Sequence, residues 1–267
     1  MTTPDYSLLD RRGASARIFF PRPDPSEPPD GARDFRIEVA PGVELAGRLY
    51  AADPAWPTIL YFHGNGEVVG DHDDIAPLYH QRASSNLFVV DFRGYGKSSG
   101  SPSFATLVGD AHPVATRFHQ FLDELGLTAA RFVMGRSLGS HSALEVASNA
   151  AGRFSGVIIE SGASSLRRAV GLVGGGLSPE ERAELSAAHE AKIRGIQLPA
   201  LIIHGRQDDL VPIATAEQLY ELLAGTEREL VVIPGAGHND LLWVGLVPYF
   251  AAIDSFVRRN SGPAANA

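Results

Sequence analysis

Ser137 sits at the centre of Gly135-Arg136-Ser137-Leu138-Gly139, after the apolar run Arg131–Met134 and before the helical pattern LGSHSALEVAS. A serine hydroxyl is a weak nucleophile until a neighbouring base takes its proton. Between a strand and a helix, G-x-S-x-G describes a sharp, strained turn that lifts the hydroxyl out at the carboxyl edge of a sheet. Its glycines are required because the helix starts so close to the strand that side chains would clash. The Leu138 amide then faces any oxyanion formed there. The bland alternative is a tight turn whose serine caps the helix; the strand–turn–helix setting favours the nucleophile.

An elbow serine needs a base, and the base an orienting acid, in the chain order Ser, acid, His. The seventh apolar run is followed by His204-Gly205-Arg206-Gln207-Asp208-Asp209-Leu210-Val211-Pro212, and the eighth by Pro234-Gly235-Ala236-Gly237-His238-Asn239-Asp240. His238 is expected to take the Ser137 proton, and Asp208 to hold the imidazole tautomer. Asp209 is the rival acid, ranked second by its position in the motif. Singly, these residues read equally well as a solvated helix start and a capping histidine. Three in order on strand-to-helix loops is a much rarer coincidence. A third loop, Tyr61-Phe62-His63-Gly64-Asn65-Gly66-Glu67, is expected to supply the second oxyanion amide, from Asn65. His63 reads as a structural residue bonded to loop backbone.

These loops must be aimed by a scaffold. Short apolar runs at Phe35–Val39, Glu44–Tyr50, Thr58–Phe62, Leu87–Phe92, Arg131–Met134, Gly156–Glu160, Ala200–His204 and Glu229–Ile233 read as eight strands. Continuous β-branched stretches such as FVVDF and GVIIE suit strands buried on both faces. Helical patterns at Asp74–Ser85, Thr106–Leu125, Leu138–Asn149, Ala214–Leu223 and Leu241–Arg258 alternate with the later strands. The expected class is therefore α/β, with a mostly parallel eight-stranded sheet and helices on both faces. The first two strands, separated only by Ala40–Val43, form an antiparallel hairpin. Residues 1–34 read as a proline-rich arm, 35–260 as the domain, 164–197 as a small cap insertion with a helix start at Ser178-Pro179, and 261–267 as a disordered tail.

Taken together, YFHGNGE, VVDFRGYGKSSGSPS, GRSLG, HGRQDDLVP and GAGHNDL resemble one branch of the α/β-hydrolase superfamily. That branch contains fungal bud-emergence-type hydrolases and eukaryotic protein depalmitoylases, and the resemblance covers roughly residues 35–255. It implies a minimal cap, no cofactor, and esterase or thioesterase activity with Ser137, Asp208, His238, Asn65 and Leu138 at the motif positions. The chain lacks the cysteine-rich N-terminus of lipid-anchored depalmitoylases.

Composition narrows the field. The 267 residues carry a net charge of −8 and no cysteine. A nucleic acid would be repelled, and thiolate metal sites, disulfides and a cysteine nucleophile are absent. No apolar run reaches the ~20 residues of a membrane span, so stable membrane insertion is not expected. The reading is a cytoplasmic enzyme. Arg93-Gly94-Tyr95-Gly96-Lys97-Ser98 resembles the end of a phosphate-binding loop, but Asp91 stands where the first glycine belongs. Glu67, Asp71, His72, Asp73 and Asp74 lack metal-ligand spacing and read as a solvated helix start. No metal is expected. His112, His119, His141 and His189 read as surface or core residues.

The expected substrate is a small acyl ester or thioester. Its pocket is expected between the elbow and Leu166–Leu177, lined by Val170, Leu172, Val173 and Leu177, with short to medium acyl chains under so small a cap. A peptidase on the same scaffold and a non-catalytic receptor are the rivals. No acidic pair that would hold a peptide amino terminus is evident.

Overall fold

The computed structural model describes residues 3–149, 153–162 and 165–262. Eight strands form one sheet: β1 (Ala32–Ala40), β2 (Val43–Tyr50), β3 (Thr58–Phe62), β4 (Asn86–Val90), β5 (Arg131–Arg136), β6 (Gly156–Glu160), β7 (Ala200–Gly205) and β8 (Arg228–Ile233). Their spatial order is β1-β2-β4-β3-β5-β6-β7-β8. The β1–β2 hairpin and the β2–β4 pair are antiparallel, and every later pair is parallel. The chain therefore reverses its march across the sheet at β3, which lies between β4 and β5. Loops leaving β3 and β5 part at that point, and the crevice between them is where such sheets bind ligands.

The helices are α1 (Ser15–Ile18), α2 (Ala76–Ala83), α3 (Phe104–Gly109), α4 (Ala111–Glu124), α5 (Ser140–Ser148), α6 (Arg167–Val173), α7 (Pro179–Arg194), α8 (Ile213–Leu222), α9 (Leu241–Val244) and α10 (Leu246–Asn260). Two apolar layers sandwich the sheet because successive strand residues point to opposite faces. In β7, Ala200 and Ile202 join one layer, while Leu201 and Ile203 join the other. Leu219 of α8, Leu185 of α7 and Phe118 of α4 fill the first layer; Tyr79 of α2 and Phe250 of α10 fill the second.

Two expected helices are broken. The pattern at 106–125 divides at Asp110, whose carboxylate accepts Arg93 Nε and Nη2 at 2.7 Å each. The pattern at 241–258 divides at Gly245, where a Cβ would press on the Ile233 side chain.

The N-terminal 34 residues are not simply an arm. Residues Tyr6–Gly13 form a kinked run of 3-10 turns, and Tyr6, Leu9, Ile18 and Phe19 are buried in the first core layer. Only the proline-rich stretch after Pro21 is extended. Even there Asp24 is buried, accepting the Gly70 amide at 2.9 Å. The apolar residues upstream of the prolines carry no periodicity, because a short kinked segment has none to show.

The expected insertion also divides. Helix α7, with Ser178 as its cap, buries Leu185 and Ile193 against the core and is the crossover from β6 to β7. Only α6 is additional. Residue 164, where the insertion was expected to begin, and 263–267 of the expected tail lie outside the described residues.

Candidate active site

Ser137 follows β5 and opens a 3-10 turn, Ser137–Gly139, that feeds α5. Its φ is +48°, in the left-handed region that disfavours a side chain, so the elbow holds strain at this residue. A Cβ at Gly139 would collide with the Phe62 carbonyl, and one at Gly135 with the Gly139 carbonyl. The helix thus packs directly on the ends of β3 and β5, as the glycine spacing implied.

The loops after β7 and β8 bring Asp208 and His238 to this hydroxyl. His238 Nδ1 donates to Asp208 Oδ2 at 2.7 Å, and Ser137 Oγ donates to His238 Nε2 at 2.9 Å. An ionised carboxylate only accepts, so Nδ1 carries the proton and Nε2 is free to receive one. Asp208 Oδ1 accepts the amides of Leu210 and Val211 at 3.0 and 2.7 Å. Burial alone would raise the Asp208 carboxyl, but the hydrogen bonds from His238 and Val211 outweigh it and hold the group below its ordinary value. Asp209 is exposed and plays no part.

The loop after β3 closes the site from the other side. Asn65 Oδ1 accepts Tyr95 Oη at 2.6 Å and the Phe20 amide at 3.0 Å, while Nδ2 donates to the Ile18 carbonyl at 2.5 Å. Its side chain is thereby spent on the N-terminal segment, which leaves the backbone N–H as the group it could offer an oxyanion. Leu138, second in the 3-10 turn, has an N–H that the turn itself does not use. His63 is fully buried, with Nδ1 donating to the Gly64 carbonyl at 2.7 Å and Nε2 3.3 Å from Asp91 Oδ1. It is structural, as expected.

The acidic loop is a helix start in part, with Asp71 accepting the Val68 amide at 3.0 Å from the first turn of the 3-10 helix Val69–His72, but its carboxylates are ion-paired rather than simply solvated. Asp71 pairs with Arg22, and Asp73 with the buried Arg48 at 2.8 Å. Glu67 pairs with Arg136 and also accepts the Gly64 amide at 2.8 Å. Among the described residues no cluster of three or more His, Cys, Asp or Glu side chains is placed to hold a metal ion.

Arg136, to which sequence reasoning assigned no role, is the hub of the site. Beyond Glu67, its Nε donates to Glu160 Oε1 at 3.1 Å and its Nη2 to the His238 carbonyl at 3.0 Å. Burial raises the Glu160 carboxyl above its ordinary value, although Arg136 and the Tyr249 hydroxyl, bonded at 2.8 Å, pull it down. One guanidinium thus ties the elbow to both neighbouring loops. A cation between two glycines in a buried turn was the available hint.

Ser137 and His238 open into a cavity of about 360 Å³. Of the four expected pocket residues only Leu172 lines it. Val173 and Leu177 are buried in the core beneath α6, and Val170 packs on that core. A seven-residue helix presents one face to a cavity, so its apolar residues cannot all line the pocket. Further wall comes from Ile18 and Phe20 of the N-terminal segment, and from Phe104, His141, Ala169 and Leu210 among others. The N-terminal residues gave no local sign of this, because it depends on docking across the whole fold.

The sheet, the elbow and the loop order define the α/β-hydrolase superfamily of serine hydrolases, and the chain belongs to it. It is 30% identical over 210 residues to the protein bem46 of Schizosaccharomyces pombe, covering 76% of this chain and 68% of that one. Two family models match in part: one described as serine aminopeptidase, S33, over residues 53–177, and the prolyl oligopeptidase family over 119–247. The structure of the Pyrococcus furiosus esterase Pf2001 superposes with a TM-score of 0.71 at 20% identity, covering 91% of this chain and 99% of that one. A Pyrococcus horikoshii acylaminoacyl peptidase does so at 0.65 and 17%, covering 88% of this chain and 42% of that one. At such identities the likeness is one of fold.

Proposed function

We propose that the protein hydrolyses carboxylic esters or thioesters through an acyl-enzyme on Ser137. The observation that carries this is the continuous hydrogen-bonded chain from Asp208 through His238 to Ser137, opening into a mostly apolar cavity. His238 Nε2 takes the Ser137 proton as Oγ forms a bond to the substrate carbonyl carbon. The resulting oxyanion is held by the amides of Asn65 and Leu138. Collapse breaks the bond to the alkoxide or thiolate, which leaves with the proton from His238. Water then repeats the sequence: His238 takes its proton, the acyl–Oγ bond breaks, and the acid departs as Oγ recovers a proton.

The family models are named for peptidases, and the same machinery cleaves amides. Yet Glu67 is the one carboxylate lining the cavity among the described residues, and it is paired to Arg136. No free acid remains there to hold a peptide amino terminus. Intact mass after a fluorophosphonate probe tests the proposal. One adduct on the wild type and none on Ser137→Ala is expected, and no adduct on folded wild type overturns it. Matched ester, thioester and amide substrates then rank the classes.

A further inference from the structure

Two arginines from distant parts of the chain, Arg17 on α1 and Arg168 on α6, line the cavity that holds Ser137. Arg17 Nη2 donates to the Leu172 carbonyl at 2.5 Å, which fastens α1 against α6. Leu172 lies four residues beyond Arg168, on the same face of the helix. Both guanidiniums therefore belong to the cap side of the cavity.

Among the described residues neither is ion-paired to a carboxylate, in a chain with 31 acidic and 23 basic residues. The lining also contains Arg136 and Glu67, but these pair with each other. The balance left to a ligand is two positive charges. His141, one helical turn after Ser137, also lines the cavity and is nearly buried, with Nδ1 unpartnered among the described residues. Ile18, Phe104, Ala169 and Leu172 give the wall an apolar stretch.

We propose that the preferred substrate is an ester or thioester whose acyl chain ends in a carboxylate, with Ser137 at the reacting carbonyl, methylenes along the apolar wall, and the carboxylate between Arg17 and Arg168. This rests on the hydrolase reading above. A guanidinium matches a carboxylate with two parallel hydrogen bonds, an arrangement that a neutral ester cannot use.

The test compares mono-4-nitrophenyl adipate with its methyl-capped neutral counterpart, on the wild type, Arg168→Ala and Arg17→Ala. A second pair, butyryl-coenzyme A and the butyryl thioester of N-acetylcysteamine, moves the negative charge to the leaving group. The ratio of kcat/KM within each pair is read, so that loss of folded protein cancels. The expected result is a preference of about tenfold or more for the charged adipate, the scale of a hydrogen bond to a charged group. It should fall to within about threefold in either variant and weaken with added salt. Turnover of both adipates with no preference overturns the inference and leaves the hydrolase reading intact. A preference confined to the coenzyme A pair overturns it by placing the charge on the leaving group. No turnover of any substrate, with no fluorophosphonate adduct, removes the hydrolase reading and this inference with it.

Discussion

The guanidinium of Arg136 donates to the backbone carbonyl of His238 at 3.0 Å, so the residue immediately before Ser137 holds the loop whose histidine faces Ser137. The same side chain reaches the Gly64 amide through Glu67, so the loop that carries Asn65 is fixed by the same group. A misplacement of about 1 Å in such an assembly can cost about a hundredfold in rate. Arg136→Ala is therefore expected to lower kcat for a simple ester by about 10- to 100-fold while KM moves by less than about threefold. Lysine offers a point charge in place of a planar fork, so Arg136→Lys should recover only part of the loss. Removing the cation also leaves the buried Glu160 and the half-buried Glu67 without their counter-ion, at a cost of up to about 3–5 kcal/mol. Rates are thus to be compared well below the melting temperature of each variant. A rise in KM with kcat unchanged would assign Arg136 to substrate binding instead.

Asn65→Ala separates the two uses of that residue. The backbone amide stays, while the side-chain bonds to Ile18, Phe20 and Tyr95 are lost. The N-terminal segment that walls the cavity should loosen. Limited trypsin digestion is expected to cut after Arg17 faster than in the wild type, with KM rising more than kcat falls. An unchanged digestion rate would show that the buried contacts of Leu9 and Ile18 hold the segment unaided.

The parts of this molecule that were legible in sequence are those governed by local rules. The Ser137 elbow is set by glycines at fixed spacing, and its strand and helix by periodicity. Asp208 and His238 were found because a fixed topology places the ends of β7 and β8 at one edge. What stayed hidden depends on contacts distant in sequence. Tyr6 donates to His189 Nδ1 at 2.8 Å across 183 positions, and no local pattern marks either residue. The roles of Arg17 and Arg168 likewise exist only once α1 lies against α6. Val173 and Leu177 were misplaced for a related reason: an apolar residue in a short helix suits a core and a pocket equally well, and only the direction of the face decides.

Glycine substitutions should split by the space each has. Gly139→Ala drives a Cβ into the Phe62 carbonyl, a backbone atom that cannot step aside, and is expected to abolish activity and destabilise the fold by more than about 3 kcal/mol. Gly171→Ala, inside α6 with nothing within 4 Å of the new Cβ, should be neutral or stabilise by up to about 1 kcal/mol. Urea unfolding of both variants checks the contrast. Equal loss in the two would mean that α6 needs a flexible residue at position 171.

Acid should unfold the protein early, through buried histidines outside the Ser137–His238–Asp208 chain. Burial pushes His141 down to about 3 and His189 down to about 2, with the Lys192 cation acting in the same direction on both and His141 also on His189. The unfolded chain protonates each near pH 6.5. Between those limits the unfolded state binds more protons than the folded one, so stability rises with pH up to about 6.5 and is lost as pH falls below it. At pH 5 the loss amounts to about 2 kcal/mol for each histidine, since one pH unit corresponds to about 1.4 kcal/mol. Urea midpoints at pH 7.5 and 5.0 measure this directly. In His189→Gln the midpoint should fall less between the two conditions than in the wild type, whatever its value at pH 7.5. An identical fall would show that His189 is not held neutral in the folded protein, and that its bond to Tyr6 opens before the chain does.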